Sequence, residues 1–128
     1  MIEATATLTP NTVKNQIRIG EHTLLTDVPA DLGGTNTGPE PHDLLSAALA
    51  ACTATTMQMY AQRKNWHIEA LAVKVLAVKE GDTHVFQRKI HFTGPLDDEQ
   101  RQRLLDIANK CPVHKILSGK IQVVTESV

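Results

Sequence analysis

The amino-terminal third of the chain alternates apolar and polar residues at the period of a β-strand. Residues 4–9, 13–19 and 22–27 each show this alternation, with Pro10-Asn11 and Ile19-Gly20-Glu21 separating them as turns. A segment rich in Gly, Pro, Asn and Thr follows (PADLGGTNTGPEPHD), which predicts a long loop. Loops of that length inside a compact domain are often functional. Three strands and a functional loop are therefore expected before the first helix.

The pattern then becomes helical over residues 44–64. Small or apolar side chains lie on nearly every face of this stretch, and Asp43 places negative charge at the positive end of the helix dipole. A helix that is apolar all round is central either to a core or to a membrane. Thr53 and Gln58 interrupt the stretch, and no uninterrupted apolar run reaches the ~20 residues that a membrane span needs. A buried central helix is the better prediction.

The second half of the chain predicts a hairpin, a second helix and a final strand. The elements in order are strands at 66–79 and 84–93 around Gly81-Asp82, a helix opened by Asp97, Asp98 and Glu99 and ended by Cys111-Pro112, a short helical turn (VHKIL), and a strand at 120–125. The order βββ-α-ββ-α-β predicts an α+β fold with mainly antiparallel strands. At 128 residues, one domain over residues 1–128 is expected.

Charge and composition exclude several function classes. The 13 basic and 14 acidic residues are spread along the chain without a basic run between aromatics, so a nucleic-acid binder is not expected. The start lacks the basic and apolar regions of a secretory signal, which predicts a cytoplasmic protein. In a reducing compartment a permanent disulfide is not expected. Two cysteines are also too few for a disulfide scaffold or a Cys-only zinc site.

The two cysteines are the first candidates for chemistry. Cys52 lies in the middle of the apolar helix, where a free cysteine is typically a small buried hydrophobe. Cys111 ends a helix beside cations at Lys110, His114 and Lys115, which favour the thiolate. The negative end of the helix dipole opposes that effect. The residues alone therefore leave a structural role and a redox role open.

Other chemistries have weaker support in the sequence. The six histidines form no HxxxH or HExxH pair, and His84 and His91 lie on opposite faces of one strand, so no metal site is expected. The segment GGTNTG lacks the lysine and the strand-to-helix context of a phosphate-binding loop. Acyl transfer through Cys111 and His114 is geometrically possible but requires an oxyanion hole that the sequence does not show. No cofactor is expected.

Two motifs together resemble one family. GPEPHDLLSAALAAC leads to the first cysteine and CPVHKIL surrounds the second, in an order and at a separation similar to those of the OsmC/Ohr superfamily, the osmotically induced and organic hydroperoxide resistance proteins. The resemblance covers nearly the whole chain and is weakest before residue 30. It implies an OsmC-like fold in which antiparallel sheets wrap two central helices of an intertwined homodimer. It also implies an interface pocket that holds the cysteine pair.

The same resemblance implies a mechanism. In peroxidase members the first cysteine attacks an organic hydroperoxide and becomes a sulfenic acid. The second cysteine resolves it as a disulfide, which a dithiol reductant such as a lipoyl group reopens. Carried over by position, Cys52 is the nucleophile, Cys111 the resolving cysteine, and Arg18 the arginine that supports the thiolate.

One position departs from the family pattern. Peroxidase members carry a glutamate ten residues before the first cysteine, where it positions the arginine, and here that position is His42. Asp43, one residue on, is the replacement candidate, and Glu40 lies two residues before. The departure keeps a second hypothesis open: a non-catalytic dimeric protein that binds a small ligand or senses thiol redox state.

Overall fold

The computed structural model describes residues 2–128, which form two compact units. The first unit ends at Leu45 and the second comprises Ser46–Val128.

The first unit contains a three-stranded antiparallel sheet. Its strands are β1 (Ala4–Leu8), β2 (Asn15–Ile19) and β3 (His22–Thr26), in the spatial order β1-β2-β3. The turn between β2 and β3 consists of Gly20 and Glu21. Gly20 has a φ of +60°, the left-handed value that two-residue hairpin turns favour at their first position. The three strands expected from the alternating pattern are confirmed.

The glycine-rich loop after β3 is ordered around a buried carboxylate. Asp27 is 1% exposed and accepts hydrogen bonds from the backbone N–H groups of Val28, Thr35 and Thr37. The hydroxyls of the two threonines also donate to Asp27, at 2.9 and 2.7 Å. A side chain at Gly34 would overlap the Val28 carbonyl and the Asp27 carboxylate, so the backbone approaches closely here. The loop is thus folded around one charge.

Helix α1 runs from Asp43 to Arg63 and is the longest element. Its buried residues are Leu49, Thr53, Met57 and Ala61, which recur every four residues along one stripe. The helix ends before Asn65, which has a positive φ of 56°. Within residues 2–128, none of the helices combines the length and the hydrophobicity that a membrane crossing requires.

A long hairpin and helix α2 complete the core of the second unit. Strands β4 (Ala70–Glu80) and β5 (Thr83–Thr93) pair antiparallel around Gly81, and α2 covers Asp98–Ala108. Asp97 and Gln100 form a reciprocal capping box that begins α2 at the predicted acidic segment. The buried cluster between these elements and α1 consists of Met57, Ala61, Phe92, Leu104 and Ala108.

The carboxyl-terminal segment differs from its prediction. A six-residue helix, α3 (Pro112–Leu117), is present as expected, but the strand predicted at 120–125 is not formed. Ile121, Val123 and Val124 are 64%, 84% and 84% exposed. Alternation favours a strand only where another strand supplies hydrogen bonds, and no part of residues 2–128 pairs with this segment. The observed order is βββ-α-ββ-α-α, which remains an α+β fold with antiparallel sheets.

Candidate functional site

The two cysteines lie side by side in the second unit. Cys52 is on α1 and half-buried, whereas Cys111 is fully buried at the residue before α3. Both are free thiols, and the Cys111 side chain is a hydrogen-bonding partner of Cys52. The structure therefore brings together two thiols that are far apart in the sequence.

The environment of Cys52 favours its thiolate. Burial raises the pKa of the Cys52 thiol, but hydrogen bonds from the Cys111 side chain, the backbone N–H of Val113 and the Thr56 hydroxyl outweigh burial. The net effect is a pKa below the ordinary value of 9.0. Hydrogen bonds to the charged form of a group stabilise that form. Cys52 is thus the more acidic of the two thiols.

The environment of Cys111 has the opposite effect. Burial raises the pKa of this thiol, and the neighbouring Cys52 raises it further, both as a hydrogen-bonding partner and as a nearby negative charge. The backbone N–H of His114, 3.5 Å from the Cys111 sulfur, lowers the pKa only in part. Of the two thiols, Cys52 therefore loses its proton at the lower pH, and Cys111 keeps its proton to a higher pH.

The local sequence explains how backbone donors reach both sulfurs. Pro112 occupies the first turn of α3, where its missing N–H is not needed and its fixed φ suits a helix. Cys111 consequently takes the N-cap position, in an extended conformation with φ −57° and ψ 130°. The first N–H groups of a helix have no partner within it. Those of Val113 and His114 are directed to Cys52 and Cys111 respectively.

Arg18 lies in β2 of the first unit. It pairs across the sheet with Thr5 and Thr23, and its side chain is exposed. Its Nε donates to the carbonyl of Gly20 at 3.3 Å. The predicted contact of Arg18 with the thiolate stays a prediction.

Asp43 begins α1 within a small polar cluster. Its Oδ2 accepts a hydrogen bond from the Glu40 backbone N–H at 3.2 Å, and its Oδ1 lies 3.7 Å from Nε2 of His42. The Glu40 carboxylate is 3.5 Å from the same imidazole nitrogen. Asp43 and Arg18 form no ion pair with each other. The Asp43 carboxylate instead organises the start of the helix together with its two neighbours.

One residue near the cysteines was missed by the sequence reasoning. Arg88, on β5, donates from Nη1 to the hydroxyl of Thr53 at 3.1 Å and to the carbonyl of Ala108 at 3.2 Å. Its Nη2 donates to Oδ1 of Asn109 at 2.7 Å. A signal was available, because Arg88 shares strand parity with the buried Phe92 and so lies on the core face.

Comparisons with known proteins identify the family. The model of the OsmC-like protein family matches residues 34–126. Among solved structures, an OsmC-like protein from Mycoplasma pneumoniae is similar at 20% identity and a TM-score of 0.78, over 93% of this chain and 88% of that one. An organic hydroperoxide resistance protein from Elizabethkingia anophelis is similar at 22% identity and a TM-score of 0.68, over 95% and 91%.

A third structure extends the same similarity. The organic hydroperoxide resistance protein OsmC from Legionella pneumophila has 20% identity and a TM-score of 0.67, over 93% of this chain and 90% of that one. No curated protein sequence matched significantly. The structural similarity to these proteins establishes the fold, and the family model covers most of the chain. The chain belongs to the OsmC-like protein family.

Proposed function

We propose that this protein is a thiol-dependent peroxidase that reduces organic hydroperoxides. The observation that carries the proposal is the unequal thiol pair: a half-buried Cys52 with a lowered pKa beside a buried Cys111 with a raised pKa. A nucleophile needs the thiolate form, whereas a resolving cysteine acts only in the second step. Membership in a family with organic hydroperoxide resistance proteins supports the choice of substrate.

The first chemical step consumes the hydroperoxide. The Cys52 thiolate attacks the terminal oxygen of ROOH, an S–O bond forms, and the O–O bond breaks. Cys52 becomes a sulfenic acid, and the departing alkoxide takes up a proton to give the alcohol ROH. The Cys111 thiol, a hydrogen-bonding partner of the reacting sulfur, is the group that we assign to supply this proton.

The second step closes a disulfide and the third reopens it. Once it has lost its proton, the Cys111 sulfur attacks the Cys52 sulfur, an S–S bond forms, and hydroxide leaves and is protonated to water. A dithiol reductant of the lipoyl type then reduces the disulfide by thiol exchange, and is itself oxidised to a cyclic disulfide. Because each thiol shifts the pKa of the other, the two sulfurs are close enough for this attack to be proposed within one chain.

Arg18, supported by Asp43, is proposed to complete the site. A guanidinium near the reacting sulfur would stabilise both the thiolate and the charge that develops on the departing oxygen. The support for this assignment is the resemblance to the peroxidase members, whose arginine comes from the amino-terminal strands, and the position of Arg18 on β2. His42 occupies the position of the family's usual carboxylate, and Asp43 is the acidic residue in the first turn of α1 beside it.

Assembly and location are part of the same proposal. We expect a homodimer, because large apolar side chains are exposed on one chain, among them Met59 at 53%, Leu76 at 61% and Ile121 at 64%. A second copy would cover such surfaces. We expect the protein to act in the cytoplasm, where a dithiol reductant keeps the cysteine pair reduced.

The discriminating experiment is consumption of cumene hydroperoxide or tert-butyl hydroperoxide with dihydrolipoamide as the reductant. Wild type should turn over repeatedly, and Cys52→Ser should reduce the rate to background. Cys111→Ser should consume about one equivalent of hydroperoxide and then stall, because the sulfenic acid has no resolving thiol. A wild-type rate no higher than that of Cys52→Ser would exclude the peroxidase function.

A second candidate function is a dimeric ligand-binding or redox-sensing protein without catalysis. The observation that favours it is His42, which stands in place of the family's carboxylate and lies 3.7 Å from the carboxylate of Asp43. A measurement of the Cys52 thiol by alkylation against pH separates the two candidates. A pKa at or above the ordinary value of a free cysteine would support binding or sensing.

A further inference from the structure

Arg88 is a charged side chain on the core face of a strand. It alternates with exposed neighbours and shares its face with Phe86, Ile90 and Phe92, the last of which is 4% exposed. A charge on such a face requires hydrogen-bonding partners to offset its desolvation. Among residues 2–128 no carboxylate lies within ion-pairing distance of Arg88.

The partners of Arg88 are instead neutral groups that flank the two cysteines. Thr53, whose hydroxyl accepts from Nη1, directly follows Cys52 in the sequence. Ala108 and Asn109, which accept from Nη1 and Nη2, lie three and two residues before Cys111. One planar guanidinium thus joins the helix that carries the first thiol to the segment that leads to the second.

The chemistry of these contacts suits a rigid connection. A guanidinium offers five N–H donors in a fixed plane, so three simultaneous bonds fix both direction and distance. The Ala108 carbonyl is at the carboxyl end of α2, where helix carbonyls lack internal partners and the dipole favours a cation. Thr53 is fully buried and its own hydroxyl donates to the Leu49 carbonyl at 2.6 Å, which orients the oxygen toward Arg88.

We propose that Arg88 is a positioning residue that sets the separation and orientation of the Cys52 and Cys111 thiols. Arg88 donates to groups beside the cysteines and to neither sulfur, so it acts through the segments that hold the thiols. The inference rests on the proposed function only for its consequence in catalysis. The arrangement of the thiols is a property of the folded protein and can be measured without a hydroperoxide.

The measurement is the equilibrium of the purified protein with reduced and oxidised glutathione. The protein dithiol and one glutathione disulfide exchange to give the protein disulfide and two glutathione thiols, so atoms and electrons balance. The position of this equilibrium gives the effective concentration of one protein thiol at the other. That concentration depends steeply on how the two groups are held.

The variants are Arg88→Gln, Arg88→Lys and the matched control Arg101→Gln. Arg101 also joins α2 to β5, since both of its terminal nitrogens donate to the Phe92 carbonyl at 3.3 Å and its guanidinium lies 4.2 Å from the centre of the Phe92 ring. It makes none of the contacts beside the cysteines. Urea unfolding of each variant ensures that the equilibrium is measured on folded protein.

We expect Arg88→Gln to lower the effective thiol concentration about tenfold or more, and Arg101→Gln to stay within about twofold of wild type. Arg88→Lys should lose less, because an ammonium group still donates to some of the acceptors. If Arg88→Gln does not fold, the comparison between Arg88→Lys and Arg101→Gln decides. Folded Arg88→Gln within about twofold of wild type, or an equal fall in the Arg101 control, would overturn the inference; where Arg88→Gln does not fold, Arg88→Lys no lower than Arg101→Gln would overturn it.

The outcome is independent of the proposed peroxidase function. A wild-type protein without activity toward hydroperoxides would still show whether Arg88 sets the thiol geometry. Conversely, unchanged glutathione equilibria in the Arg88 variants would show that Arg88 does not position the thiols. That result would not bear on whether the wild type turns over hydroperoxides. In an active protein, Arg88→Gln should slow disulfide closure, seen as longer-lived sulfenic acid after one equivalent of cumene hydroperoxide.

Discussion

Replacing Thr53 by valine tests the connection between α1 and Arg88 in terms of stability. Thr53 is fully buried, donates to the Leu49 carbonyl at 2.6 Å and accepts from Arg88 at 3.1 Å. Valine keeps the branched shape but has no hydroxyl. The Leu49 carbonyl retains its helical N–H partner, whereas one guanidinium donor loses its buried acceptor. The cost therefore comes mainly from the bond with Arg88.

The expected magnitude follows from the kind of bond that is lost. A hydrogen bond to a charged group contributes about 1.5–3 kcal/mol to stability. Arg88 is only half-buried and keeps two other acceptors, and the added methyl group gains from burial. We therefore expect Thr53→Val to reduce the free energy of unfolding by about 1–2 kcal/mol. For a chain of this size that corresponds to a fall in Tm of about 3–8 °C.

The assay is urea unfolding of four proteins: wild type, Thr53→Val, Arg88→Gln and the double variant. If the two side chains stabilise the fold through their mutual bond, the double variant should lose less than the sum of the single variants. The coupling free energy should be at least about 0.5 kcal/mol. Additive effects within about 0.3 kcal/mol would show that the 3.1 Å contact does not contribute, and would refute the reasoning.

Three further predictions concern the thiol pair and the loop. Cys111→Ala should raise the pKa of Cys52, because it removes a hydrogen bond that lowers it; the pH midpoint of iodoacetamide alkylation should move upward. Asp27 has a pKa far below its ordinary value because of its hydrogen bonds, chiefly those from Thr37. The Asp27 carboxylate should contribute fully to the free energy of unfolding above about pH 4, and this contribution should be lost as the pH falls toward the lowered pKa. Urea unfolding from pH 6 to pH 2 should show this loss in wild type but not in Asp27→Asn. Gly34→Ala should destabilise the loop, because a methyl group would overlap the Val28 carbonyl; amide hydrogen exchange of residues 28–37 should become faster than in wild type.

The regular elements of the fold could be predicted because their signals are local. Alternation in β1 to β3 and in the long hairpin gave the strands, and the acidic turn before Asp98 gave the start of α2 with its capping box. The prediction of a strand at 120–125 was wrong, because there the local signal is not sufficient. The pattern of this segment suits a strand, but strand formation depends on a partner that residues 2–128 do not provide.

The side-chain geometry of the candidate site depends on contacts that no local pattern encodes. The sequence alone left Cys52 as a plausible core residue, since its hydrogen-bonding partners Cys111 and Val113 are distant along the chain. Arg88 combines two opposing signals: it shares strand parity with the core face of β5, whereas a charged side chain favours an exposed position. A charged residue that shares the face of Phe86 and Ile90 is a signal for a buried hydrogen-bonding role.

The source of the acidity of Cys52 bears on the role of His42. The effects that lower the pKa of Cys52 are hydrogen bonds from Cys111, Val113 and Thr56, and none of them involves a cation. Within the second unit, hydrogen bonds are thus sufficient to lower the pKa of Cys52. In the proposed peroxidase, Arg18 would add to this stabilisation of the thiolate and would also stabilise the charge that develops as the O–O bond breaks. Replacement of the usual carboxylate by His42 would then affect how Arg18 is positioned, and so the rate of that step, while the hydrogen bonds that lower the pKa of Cys52 would remain.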